Sequence, residues 1–192
     1  MDFIPLIHMK NRKILVEQTE ISVPLKEFLK KVDEETKIYI LDLDGIEKEK
    51  PNLCTYQRLS DAYELWVDFG PRNIGDIVDA TMAGATDITL RRNLCPQLNI
   101  SDIRELSENK IYSNIDFAEE LSFNDVDGLV NFNTREELEA NFKHSDLFKR
   151  TGLKRKIYSY ESDPKNCSYW KRFGVEGLLV DINKLKEFNN GV

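Results

Sequence analysis

Acids and arginines supply most of the chemistry open to this sequence. Six carboxylates, Asp42, Asp44, Asp68, Asp116, Glu161 and Asp181, sit at or just beyond the C-terminal ends of short apolar runs. Gathered on one face, their oxygens would suit a divalent cation or a cationic ligand, although a solvated acidic rim is the commoner outcome and no spacing demands a metal. Arg72 follows one of the same ends, after Asp68, and Arg91 and Arg92 follow the end of the apolar run 87–90. A guanidinium fork matches phosphate or carboxylate oxygens, so these three form a candidate anion site; one or two could equally pair with Asp68. The cysteines, Cys54, Cys95 and Cys167, are three in number and widely spaced. That fits neither a disulfide framework nor a zinc cluster, and points to a reducing, cytoplasmic setting with no cofactor implied. Trp66 and Trp170 read as core residues.

The acids need a frame to bring them together. Short apolar runs recur at 3–7, 37–43, 65–69, 87–90, 111–117, 128–132, 156–160 and 177–180, each bounded by Gly, Asp, Asn or charge. Near-continuous apolar runs are what strands covered on both faces look like. Helical spacing fills several of the gaps. Residues 24–33 carry Leu25, Phe28, Leu29 and Val32 at i, i+3, i+4 and i+7; 53–63 and 74–83 repeat the pattern, and Gly84 ends the latter. Ser101 opens a further helix to Asn109, and Thr134 begins a capping box for a helix over 136–142. Strands alternating with helices give a parallel sheet. Eight strands make a closed (β/α)8 TIM barrel over residues 1–192 the leading fold, with an open doubly wound sheet second. Eight units in 192 residues leave a compact barrel with shortened or missing helices, chiefly over 118–126 and 166–173.

Composition narrows the function. Lysines and arginines number 27 against 34 aspartates and glutamates, a net charge of −7. That argues against nucleic acid, whose phosphates call for a basic stripe. The longest apolar runs, such as 38–41 and 177–180, fall far short of the roughly 20 residues of a membrane span. The start, Met1-Asp2-Phe3-Ile4-Pro5, has an acid where a signal peptide wants a base.

One stretch is more specific. Tyr39-Ile-Leu-Asp-Leu-Asp-Gly-Ile46, followed by Lys50-Pro-Asn-Leu53, resembles the second strand and loop of the histidine-biosynthesis enzyme phosphoribosylformimino-aminoimidazole carboxamide ribotide (proFAR) isomerase, a (β/α)8 barrel. The resemblance continues in register through Ile4-Pro5-Leu6-Ile7-His8, Leu65-Trp-Val-Asp-Phe-Gly-Pro-Arg72, Asp79-Ala-Thr-Met-Ala-Gly-Ala85, Asn114-Ile-Asp-Phe117 and Phe173-Gly-Val-Glu-Gly-Leu-Leu-Val180. It is best over 37–117 and weakest over 120–165, and it suggests kinship with archaeal-type relatives that lack an assigned activity.

The resemblance implies aldose–ketose isomerisation by two acid/base groups, which the family places on carboxylates at the ends of strands one and five. Here the fifth-strand position is Asp116 and the first reads His8, which transfers protons near neutrality. A partly buried, hydrogen-bonded histidine is the plainer reading of His8. The glycine-rich turns that hold the two phosphates of the family's substrate are eroded here. After the third strand only Gly70 and Arg72 remain, around Pro71; Arg91-Arg92-Asn93 follows the fourth; Glu161, Asp163 and Asp181 stand where the last phosphate would bind. A small anionic metabolite held by Gly70, Arg72, Arg91 and Arg92 is the expected ligand. The competing expectation is a non-catalytic binding or assembly module, with a second copy of the chain covering any wall left bare by a short helix.

Overall fold

The structure, a computed structural model, describes residues 1–16, 19–23, 30, 32–115, 125–141, 146, 148, 150 and 155–190. Asp116, most of the helix expected over 24–33 and most of 118–126 lie outside the described residues.

In chain order the described strands are β1 (Asp2–Lys10), β2 (Lys13–Val16), β3 (Thr19–Val23), β4 (Lys37–Asp42), β5 (Glu64–Asp68), β6 (Ala85–Leu90), β7 (Lys110–Asn114), β8 (Gly128–Asn131), β9 (Lys156–Tyr160) and β10 (Gly177–Asp181). The described helices are α1 (Leu43–Lys48), α2 (Leu53–Ser60), α3 (Ile74–Met82), α4 (Ile100–Leu106), α5 (Arg135–Ala140), α6 (Cys167–Arg172) and α7 (Leu185–Asn190). β1 and β4 through β10 run parallel, each bonded to the next, and β10 returns to β1 from Asp2↔Gly177 to Leu6↔Asp181. The result is a closed eight-stranded parallel barrel with helices between strands. Each barrel strand coincides with one of the eight apolar runs, because both of its faces are covered.

Alternation along the strands sorts side chains into two layers. Ile4 and Leu6 of β1 pack inside with Tyr39, Trp66, Tyr112 and Tyr158. Ile7 and Met9 face outward into the layer that holds Tyr56 and Leu59 of α2 and Ile77 and Ala80 of α3. The interior is filled by aromatic rings: Trp66 lies 4.0 Å from Tyr112, 4.9 Å from Tyr158 and 5.0 Å from Tyr39, centroid to centroid. At the N-terminal end a buried Asp87 meets Lys37 Nζ at 2.6 Å. Among the described residues no helix is long and apolar enough to cross a membrane.

Two places depart from a regular repeat. The first lies after β1, the longest strand. Its lower half pairs with β10, but His8, Met9 and Lys10 pair antiparallel with Leu15, Ile14 and Lys13 of β2. Neither the hairpin that β1 forms with β2 nor its continuation into β3 was foreseen from the sequence, and the β1–β2 turn is where the strain lies. That two-residue turn places Asn11 (φ 52°) and Arg12 (φ 61°) in the left-handed region. Asn tolerates that region, whereas Arg pays roughly 1 kcal/mol for it. The Asp44 carboxylate accepts the Arg12 N–H at 3.1 Å and helps hold the turn.

The second is α1, which occupies a stretch whose Asp-Leu-Asp-Gly sequence reads as loop. Asp42, at the end of β4, caps it by accepting from the N–H groups of Asp44 and Gly45. The same carboxylate takes the Asn52 backbone N–H at 2.7 Å, the Asn52 amide at 2.8 Å and the Tyr56 hydroxyl. Gly45 is required here: a Cβ at this position would stand 2.5 Å from the Phe69 carbonyl oxygen.

A candidate acid–base site at the barrel mouth

The side chains that follow the aromatic layer face the C-terminal mouth. His8, Leu41, Asp68, Phe132, Tyr160 and Asp181 come from six different strands or their ends. Burial of so many polar groups at one end requires partners, and the partners divide the mouth into two sides.

On the β5–β6 side the charges are matched. Asp68 is fully buried, and Arg91 donates to both of its oxygens, Nε at 2.9 Å and Nη2 at 2.8 Å. The Tyr39 hydroxyl donates a third bond at 3.0 Å. Thr89, which accepts from the Trp66 indole at 2.9 Å, lies 3.2 Å from the same hydroxyl. Burial works against the Arg91 charge, but the Asp68 carboxylate outweighs it and pushes the guanidinium pKa up. Burial, and then Asp68, push the Tyr39 pKa well up, so this phenol stays protonated. The Arg91 guanidinium also lies 5.9 Å from the Phe132 ring centroid.

On the β1–β10 side the match is incomplete. His8 is 3% exposed, and its Nδ1 stands 3.6 Å from Asp181 Oδ1, beyond a normal hydrogen bond. The other Asp181 oxygen accepts the Tyr160 hydroxyl at 2.8 Å. Burial lowers the His8 pKa, with Asp181 opposing it, so the imidazole is neutral at pH 7. His8 lines a pocket of about 480 Å³ together with Lys10, Asn11, Lys13, Leu15, Leu41 and Leu43. Lys10 Nζ lies 3.3 Å from Glu47, while Lys13 makes no ion pair among the described residues. A neutral imidazole facing a carboxylate through Nδ1 leaves Nε2 as the basic nitrogen, and the carboxylate stabilises the imidazolium formed when a proton is taken.

The remaining expected residues serve the walls. Arg72 donates to the carbonyl oxygens of Gly70 (2.5 Å) and Ile46 (2.8 Å), and Gly70 turns with φ 63°. Arg92 is half-buried after β6. Arg72 thus ties the β5–α3 loop to α1, and Arg91 is committed to Asp68. Glu161 accepts from the N–H groups of Ser162 and Asp163 and from the Trp170 indole, which orders the turn after β9. Asp42 is the cap described above. Asp44 bonds Lys48 Nζ at 2.9 Å; burial alone would raise its pKa, but that bond and those from Arg12, Asn11 and Asn52 hold it far below the usual carboxylate range. Among the described residues no three His, Cys, Asp or Glu side chains come together as a metal site. Asp116 lies outside the described residues.

Lys10, Asn11, Lys13 and Leu15 were missed from the sequence. Their signal was available in part: Ile4, Leu6, His8 and Lys10 keep the period of two along β1, so the strand's inner face runs on past the barrel.

No protein-family model matches the chain, and no curated protein matches it.

Proposed function

We propose that this chain is an acid–base isomerase of the aldose–ketose type, acting on a small phosphorylated or carboxylated molecule. In this reading the scaffold is a (β/α)8 TIM barrel with a β-hairpin after its first strand, a divergent relative of proFAR isomerase. The observation that carries the proposal is the neutral, buried His8 beside Asp181 in a pocket whose other charged lining groups are lysines. His8 acts as the base that moves a proton between adjacent carbons, and Asp181 orients the ring and steadies its charged form. Lys10 and Lys13 attract the anionic end of the substrate. Asp116, at the family's second acid–base position, is the expected partner of His8.

A second reading, a non-catalytic binding module, draws on the saturation of Arg72, Arg91, Asp42, Asp68 and Glu161 by partners within the protein. One experiment separates the two. Phosphorylated and carboxylated aldoses, proFAR included, are incubated with the protein in deuterium oxide and followed by NMR. The isomerase reading expects deuterium at the carbon next to the carbonyl, slowed at least about 100-fold by His8→Gln, the usual scale for a general base. Saturable binding without exchange selects the binding module, and exchange at an unchanged rate in the variant removes His8 from the chemistry.

A further inference from the structure

The turn of the β1–β2 hairpin has a second side. Away from His8, a separate pocket of about 480 Å³ is lined by Asn11, Arg12, Asp44, Lys48, Lys50, Pro51 and Asn52. Three cations reach it in a chain of net charge −7.

The nearby acids are already matched. Asp44 holds Lys48 Nζ at 2.9 Å, Glu47 lies 3.3 Å from Lys10, and Glu49 lies 3.6 Å from Arg72 Nε. Lys48 is fixed further by Asn11 Oδ1 at 2.9 Å. Among the described residues the side chains of Arg12 and Lys50 have no ion-pair partner, so the pocket carries a local positive excess. Both cations are anchored through their main chain. The Arg12 N–H is bound by Asp44 at 3.1 Å, and the Lys50 N–H by the Asp44 carbonyl at 3.2 Å. One aspartate thus holds the main chain at both residues. Arg12 also occupies a left-handed turn position where glycine would be unstrained, so its side chain sits there against its backbone preference.

We propose that this pocket is an anion-binding site, distinct from the mouth, which takes a phosphate or diphosphate group between Arg12 and Lys50. The guanidinium fork engages two oxygens of the anion and the Lys50 ammonium a third. Lys48, neutralised by Asp44, contributes position more than charge.

The test uses inorganic pyrophosphate as the probe, by calorimetry and by amide chemical shifts on the whole chain. Saturable binding with a Kd of about 1 mM or tighter is expected, with the largest shifts at Arg12, Lys50 and Asn52. Arg12→Gly relieves the turn, so the fold should survive, and binding should weaken about tenfold or more. Arg12→Lys keeps the charge without the fork and should fall between the two. Lys50→Gln should weaken binding several-fold, and His8→Gln should leave it unchanged. No saturable binding to the wild-type protein, or equal binding by Arg12→Gly and wild type, overturns the proposal. Shifts centred on His8, Lys13 and Leu15 also overturn it, because they place the anion in the mouth.

Discussion

The barrel mouth buries a carboxylate beside a basic group twice, and it completes only one of the two pairs. Between β5 and β6, Asp68 receives two bonds from Arg91 and one from Tyr39, all at 3.0 Å or less. Between β10 and β1, Asp181 receives one bond from Tyr160 and faces a neutral His8 across 3.6 Å. A saturated pair has nothing left to offer a substrate and acts as a strut. An unsaturated pair with a titratable member can change state when a proton or an anion arrives, and that is the side on which the pocket opens.

The largest expected effect comes from breaking the strut. Arg91→Met leaves Asp68 buried without a counter-charge, which costs about 3–5 kcal/mol. Urea unfolding followed by tryptophan fluorescence reads this directly. A loss under about 1 kcal/mol would mean that the two sides of the mouth are equally loose.

A smaller effect is expected from pH. The folded His8 has a pKa below its ordinary 6.5 because burial disfavours the charged ring. Below pH 6.5 the unfolded chain takes up a proton that folded His8 refuses, so stability falls with pH until the folded pKa is reached. Above 6.5 this contribution is complete and constant. The slope from one proton cannot exceed about 1.4 kcal/mol per pH unit. His8→Gln should remove that part of the slope, and an identical pH profile in the variant would put its origin elsewhere.

The smallest effect sharpens the comparison. Asp181→Asn keeps an acceptor for Tyr160 but removes the charge facing His8, so stability should fall by only about 1 kcal/mol. Because Asp181 opposes the burial that lowers the His8 pKa, the variant's imidazole should titrate lower still by NMR. A rise would show that His8 does not sense this carboxylate.

Much of the barrel was legible because its signal is local. Strands such as Ile38–Ile40 and Leu178–Val180 are apolar on both faces, and no other arrangement of a short run explains that pattern as well. The hairpin was not legible, since its turn carries Asn11 and Arg12 with no glycine, and β2 is only four residues long. Nor was α1: Asp42, Asp44 and Gly45 favour turns, and what makes a helix of them is capping by Asp42 together with the close fit of Gly45 against Phe69. In the site, His8 and Asp181 were each visible by residue type, but their pairing depends on β10 closing against β1 and leaves no trace in local sequence. Nothing in the local sequence marks Lys10 and Lys13, whose place in the pocket follows from β1 outrunning the barrel and pairing with β2.

The seam between β1 and β10 has a consequence for synthesis. Residues Asp2 to Leu6 are synthesised long before their partners, Gly177 to Asp181, which lie at the other end of the barrel's strand order. Until β10 is made, the lower edge of β1 is an apolar strand with open hydrogen-bonding groups, a form prone to wrong pairing. The upper edge is relieved early by β2, made within the next few residues. The hairpin that walls the pocket is therefore also a guard for half of the nascent strand, and the unguarded half is where a holding chaperone would be most needed.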